Sequence, residues 1–165
     1  MFVLARAVTY SVLFIGLFLI FLPGWVLSSA GIVQPSVVGA WQITGIILGA
    51  CGAALAVACI LAFVFVGKGT PLPLDAPRRL VVRGPYRLVR NPMYVGAALA
   101  LTGAALFYQS IALLSYAGLF LIATHIFVVI YEEPTLRQIF TSDYEAYCGR
   151  VGRWWPKHLK TCSKS

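Results

Sequence analysis

Two long charge-free runs dominate the chain, and its charged positions are pushed to their margins. No Asp, Glu, Lys or Arg occurs from Ala7 to Gly67 or from Asn91 to Tyr131, where His125 is the one imidazole. Neither run alternates with period two, so both read as helix rather than barrel strand, and a helix satisfies its own backbone in lipid. A spanning helix takes about 20 apolar residues. Each run therefore holds two spans, placed at about 8–30 and 41–66, then 93–108 and 111–131, the third being the shortest. The prediction is an all-α, multi-pass transmembrane bundle of about four spanning helices, forming a single domain over 1–165. Arg6 precedes the first run and Ser28-Ser29-Ala30 is small enough to be cut, but the run is longer than the core of a signal peptide, so it reads as a span. Small residues recur at four-residue spacing in span two (Gly45, Gly49, Ala53) and span three (Gly96, Ala100, Ala104, with Gly103 beside them). That spacing predicts close helix packing.

Outside the runs the pattern changes twice. Between Lys68 and Pro92, prolines at 71, 73, 77, 85 and 92 forbid one continuous helix, which leaves an extended strap. After Tyr131, Leu136, Ile139 and Phe140 and then Tyr144, Tyr147, Val151 and Trp154 recur at helical spacing among charges. These predict an amphipathic C-terminal cytoplasmic helix, or a pair of them, lying against the membrane and ending near Pro156.

Composition agrees with a lipid environment: the chain is 60% hydrophobic and only 11% charged. Of its 13 Lys and Arg, Arg6 precedes span one, six lie in Lys68–Arg90 and six in Arg137–Lys164, all on one face. The positive-inside rule makes that face cytoplasmic, with both termini inside. The five acidic residues, Asp75, Glu132, Glu133, Asp143 and Glu145, share it. A net charge of +8 does not point to nucleic acid, because the basic residues hug helix ends, where topology and anionic headgroups account for them. The four cysteines, Cys51, Cys59, Cys148 and Cys162, form no Cys-x-x-Cys and have no matching histidines, so neither a metal site nor a disulfide framework is indicated.

Glu132 and Glu133 sit where span four leaves the bilayer. Adjacent carboxylates near a helix end repel each other and need cations, and Arg83, Arg87 and Arg90 are the obvious partners. Two readings follow: interfacial ion pairs stapling two cytoplasmic segments, or a pocket for a ligand carrying both signs of charge. In the second, Tyr86, Tyr94 and Trp154 supply aromatic walls and Asn91 amide groups. His125, seven residues before Glu132, falls on the same face of an ideal helix; it is either a site candidate or a histidine satisfied by one hydrogen bond to a neighbouring helix.

The stretch Gly84-Pro-Tyr-Arg-Leu-Val-Arg-Asn-Pro-Met-Tyr-Val-Gly96, followed by Glu132-Glu133-Pro with Leu136, Phe140, Tyr144, Tyr147 and Val151 behind it, resembles the isoprenylcysteine carboxyl methyltransferase family and its phospholipid methyltransferase relatives. The resemblance runs from Arg78 to Pro156. It implies an S-adenosylmethionine-dependent methyltransferase whose cofactor is enclosed on the cytoplasmic side by segments 78–94 and 132–156, with a small or lipid-like acceptor arriving from the bilayer. Carried over residue by residue, cofactor contacts fall on Arg79, Leu80, Val81, Tyr86, Asn91, Pro92, Met93, Tyr94 and Glu132, with Glu133 beside them. Arg87, Arg90 and Glu133 are the candidates for holding or deprotonating the acceptor. Asn91 stands where the family often has a titratable histidine, and Val128 where the prenylcysteine enzymes place an arginine, which points away from a prenylcysteine acid. Two further readings are a nicotinamide-dependent membrane reductase of the sterol-reductase type, suggested by Tyr147-Cys148-x-x-Val151, and a non-enzymatic membrane scaffold.

The charge asymmetry predicts that a reporter fused after Ser165 is cytoplasmic and one inserted near Gln34 is on the opposite side. Labelling in the reverse sense would overturn the arrangement.

Overall fold

The computed structural model describes residues 13, 15–62, 65 and 80–157; the first part of the first predicted span, the proline-rich linker before Leu80 and the last residues lie outside this range. All regular structure among the described residues is helical. A π-turn at Ile15–Phe21 runs into α1 (Leu22–Ser29), followed by α2 (Ala40–Ala62), a 3-10 turn at Gly84–Arg87, α3 (Pro92–Phe107) and α4 (Ile111–Phe127). A second π-turn, Val128–Glu132, carries α4 without a break into α5 (Glu133–Arg150). The helix Ala40–Ala62 and the apolar part of Ile111–Arg150 are long and apolar enough to cross a membrane, while Ile15–Ser29 and Pro92–Phe107 are shorter apolar helices.

Large apolar side chains face outward. Ile111 is 76% exposed and Ile122 58%, with Ile46, Ile47 and Val57 of α2 similarly placed. Such a surface is a liability in water and suits hydrocarbon. The interior is built from small residues instead, and its tightest contact is α2 against α3. A Cβ on Gly45 would lie 2.5 Å from the Gly103 carbonyl oxygen, one on Gly52 2.5 Å from the Gly96 carbonyl oxygen, and one on Gly103 2.6 Å from the Gly45 carbonyl oxygen. The pairing of 45 with 103 and 52 with 96 makes the helices antiparallel. The small residues expected at four-residue spacing take part: a Cβ on Gly103 would also lie 2.5 Å from the Gly49 nitrogen, and one on Gly52 2.6 Å from the Ala100 nitrogen, so backbone at 49 and 100 fills the seam between glycines seven residues apart. A Cβ on Gly49 would meet nothing.

The hairpin between α3 and α4 turns at Gln109, whose φ is 49°, and Ser110 caps α4 by accepting from the Leu113 amide at 3.1 Å. Behind it Ala97, Leu101, Ala117 and Phe120 form a core with Phe18 and Tyr116, whose hydroxyl donates to the Phe18 carbonyl at 2.9 Å. The C-terminal helix bends at Thr141 (φ 40°, ψ −114°), so the sequence pattern spanning 136–151 is met by two helical arms. The buried side of the second arm, Tyr144, Tyr147 and Val151, packs on Leu80, Val82, Leu136 and Phe140, while Ile139 is left 48% exposed.

Gly52→Val places side-chain atoms against α3 backbone that cannot swing aside. Thermal unfolding in detergent should show a loss at the upper end of the roughly 1–3 kcal/mol typical of overpacking. Gly49→Ala, which meets open space, should leave the melting temperature unchanged.

Candidate functional site

The site is assembled where the strap returns to the bundle. Arg83 is extended, Gly84 takes the left-handed φ of +58° that favours glycine, and Pro85 starts the 3-10 turn with its fixed φ and no amide to satisfy. The Leu88 amide closes that turn on the Pro85 carbonyl at 3.1 Å. The chain then runs beside the tail: Val89 bridges Gly152 in parallel, and the Arg90 amide donates to the Gly152 carbonyl at 2.8 Å. Pro92 opens α3, where a missing amide costs nothing. Tyr86 is folded inward against Cys59, Val81 and Met93, and its carbonyl accepts from the Tyr147 hydroxyl at 2.7 Å.

Facing the strap are the two carboxylates. In the π-turn the Glu133 amide reaches back to the Val128 carbonyl, one residue further than in an α-helix, so the uniform pitch that would put Glu132 in register with His125 is interrupted. Glu132 accepts from the Tyr94 hydroxyl of α3 at 3.1 Å. Glu133 is buried and held by both oxygens: Arg153 donates from Nε at 2.7 Å and from Nη2 at 2.8 Å, and Arg90 Nη2 lies 3.2 Å from Oε1. Arg90 Nη1 is 2.6 Å from the Cys148 sulfur, while its Nε is buried and has no hydrogen-bond partner among the described residues. Burial pushes the Glu132 carboxyl up to about 6, with the Glu133 charge adding to the rise and the Tyr94 hydrogen bond opposing it. Burial acts in the same sense on Glu133, but the Arg153 hydrogen bonds and the Arg90 and Arg153 charges outweigh it and hold that carboxyl below its ordinary range.

These groups enclose a small cavity of about 40 Å³. Of the residues expected to hold a cofactor, Leu80, Val81, Tyr86, Asn91, Glu132 and Glu133 line it, as do Arg90, Leu136, Tyr144 and Tyr147. Pro92 is buried at the start of α3, Met93 backs the wall behind Tyr86, and Tyr94 reaches the site through Glu132. Arg79 lies outside the described residues. Next to the cavity, and sharing Leu80 and Tyr147 with it, is a groove of about 440 Å³ whose walls include Val82, Phe140, Asp143 and Arg150.

Several expectations need correction. Of the three arginines assigned to the glutamates, Arg90 alone pairs with one; Arg83 and Arg87 point outward and line neither space, because the turn at Gly84–Arg87 projects them away from the bundle. His125 is exposed and accepts a 3.0 Å hydrogen bond from the Trp154 indole, so Trp154 is committed to His125 and is no wall of the cavity. Val128 is fully buried in the bundle and does not line the cavity. Arg153 was missed. It stands 20 residues after its partner, beyond any helical period, in a basic tail that topology alone explains.

Residues 40–143, from the start of α2 into α5, match the family described as phospholipid methyltransferase, and both the strap and the carboxylate pair fall inside the match. No curated protein matches the chain.

Tyr147→Phe deprives the buried Tyr86 carbonyl of its hydrogen bond from α5. The expected cost is about 1–3 kcal/mol of stability, read from thermal unfolding, with faster amide exchange at residues 84–90.

Proposed function

The chain belongs to the phospholipid methyltransferase family, and from that premise we propose that it is an integral-membrane methyltransferase using S-adenosylmethionine at the cytoplasmic mouth of the bundle, with a lipid-like acceptor reaching it from the bilayer. Family membership favours methyl transfer over the nicotinamide and scaffold readings. The observation that carries the cofactor assignment is the buried Arg90 Nε, without a partner among the described residues, in a cavity whose other charged walls are two carboxylates. A buried cationic donor left unsatisfied costs free energy until an anion meets it.

The donor set fits the cofactor. Its amino-acid end is zwitterionic, so the carboxylate suits Arg90 and Asn91, and its cationic groups suit Glu132, the carboxylate with no cation of its own among the described residues. The cavity is too small for a nucleoside, and the adjoining groove offers an apolar wall of Leu80, Val82 and Phe140; Leu80 and Tyr147, common to both, are the side chains that part to join them. When bound, the cofactor supplies a methyl group on a positively charged sulfur that becomes neutral on transfer. The protein's own part is to hold donor and acceptor in line and exclude water, which accounts for most of what such a displacement needs. Glu132 balances the positive charge with an acceptor of high affinity for it, and Tyr94 fixes its orientation. Arg90 and Arg153 are both engaged with Glu133, and no further cation among the described residues lines the cavity, so the site favours neutral, amine or thiol acceptors over a prenylcysteine acid.

The charge state of Glu132 makes this testable. The folded protein retains the Glu132 proton up to about pH 6, above where an exposed carboxyl loses it. Between those two values the fold binds more protons than the unfolded chain, so this group's contribution to stability declines as pH rises through the window. A cationic ligand prefers the ionised form, so S-adenosylmethionine affinity should fall as pH drops through about 6 and level off above it. Glu132→Gln should weaken binding by about 1.5 to 3 kcal/mol and abolish the pH step. It should be at least as stable as wild type above that pH, since a neutral amide escapes the ionisation penalty. Unchanged binding accompanied by a lower melting temperature would reduce Glu132 to a structural role.

A further inference from the structure

The three residues Gly152, Arg153 and Trp154 make contacts with three different parts of the molecule: the strap, the start of α5 and α4. The Gly152 carbonyl takes the Arg90 amide, the Arg153 carbonyl takes the Asn91 side chain at 3.4 Å, the Arg153 fork takes Glu133, and the Trp154 indole donates to His125 on α4. Val151 just before them is buried with Tyr144 and Tyr147, and Lys157 beyond them donates to the Cys148 carbonyl at 2.8 Å. Gly152 tolerates no side chain, because a Cβ there would collide with the Trp155 carbonyl. The tail is thus fastened on the two strap residues, Arg90 and Asn91, that line the cavity.

From this geometry we infer that Arg153 is a positioning residue of the site: by occupying both oxygens of Glu133 it leaves the Nε of Arg90 free to receive the anionic end of the cofactor. The inference rests on the cofactor reading above and extends it to a residue beyond the matched family region, which ends at 143. The argument is a competition for one carboxylate. Glu133 is nearly inaccessible, its side chain 7% exposed, so it must be paired, and two guanidinium groups reach it. Arg153 approaches with two parallel hydrogen bonds, the geometry in which Arg and carboxylate bind most strongly, whereas Arg90 offers one nitrogen at 3.2 Å. Without Arg153, Arg90 is the remaining guanidinium within contact of that buried carboxylate among the described residues, and its fork is drawn onto Glu133. The donor intended for the ligand is then consumed inside the protein. Charge counting agrees: Glu132 and Glu133 against Arg90 and Arg153 is neutral when all four are ionised, and removing Arg153 leaves an excess negative charge that raises the proton affinity of both glutamates. The other titratable groups facing the pair are Tyr94 on α3, Tyr86 on the strap, and Arg137, Tyr144, Tyr147 and Cys148 on α5.

The test uses the full chain in detergent micelles, comparing wild type, Arg153→Gln, Glu133→Gln and the double variant. Equilibrium binding of S-adenosylmethionine is measured from pH 5 to 8, and amide exchange is followed at residues 89–92 and 150–157 without ligand. Arg153→Gln should weaken binding about tenfold at pH 7.5, move the midpoint of the pH dependence upward, and speed exchange in both segments. In the Glu133→Gln background, where Arg90 has no carboxylate to be drawn to, the same substitution should change affinity less than twofold. The double variant differs from Glu133→Gln only at Arg153, whose side chain is one-third exposed, so that comparison stands even where Arg153→Gln alone does not fold. Equal losses in the two backgrounds would overturn the inference, as would wild-type affinity in Arg153→Gln. Unchanged exchange at 89–92 would overturn it whether or not the ligand binds. If wild type itself binds no S-adenosylmethionine while exchange responds as described, the cofactor reading fails and Arg153 is left as a structural clasp, which also sinks the positioning role.

Discussion

Everything at the polar end of this molecule depends on one electrostatic demand: two consecutive carboxylates, set at the point where an apolar helix leaves its bilayer-length run, have to be neutralised by groups that the helix itself does not carry. Glu132 and Glu133 follow a charge-free span, and an unpaired charge buried there is several times costlier than an unpaired polar group. The answer comes from two directions, a strap that precedes α3 and a tail that follows α5, and the need to reach the same pair brings strap and tail side by side. The parallel bridge between Val89 and Gly152 is a by-product of that convergence.

The π-turn gives the neighbouring glutamates different tasks. By adding a residue to one turn it directs Glu132 to a tyrosine on α3 and Glu133 to two arginines from strap and tail. One carboxyl is consequently easy to protonate and the other hard, although they are adjacent in sequence. Pairs of titratable groups driven apart in this way are common where a protein manages charge on a ligand. A strictly α-helical Val128–Glu133 would aim the two less independently.

Most of the architecture was legible because lipid simplifies the code. Charge-free length alone placed the helical segments, and the ends of α3 and the Gln109-Ser110 turn fall within a residue or so of where the run of apolar residues puts them. The cavity was legible in part, since Arg90, Asn91, Glu132 and Glu133 lie in two compact motifs. What could not be read were features that depend on angle and distance along the chain. His125 is seven residues from Glu132, which means a shared face only on a helix of uniform pitch, and no residue type announces a π-turn. Which glycines turn their missing side chain into the seam, Gly45, Gly52, Gly96 and Gly103 rather than Gly49, depends on the mutual rotation of α2 and α3, and composition offered several. Arg153 is one of several basic residues in a tail whose excess charge has an adequate topological explanation, and nothing local distinguishes it from Arg150 or Lys157.

The antiparallel glycine seam has a consequence for the part of the chain it never touches. It fixes the C-terminal end of α2 beside the N-terminal end of α3, so the two ends of the connector between Ala62 and Asn91 are already brought together. Bringing two chain ends together costs conformational entropy that rises only slowly with the length between them, and here helix packing contributes to meeting that cost. The strap can therefore carry glycine, five prolines and a run of arginines, residues that would make a poor independent fold, and still present Tyr86, Arg90 and Asn91 at one place. Its sequence is free to answer to chemistry because its closure has been delegated to the membrane.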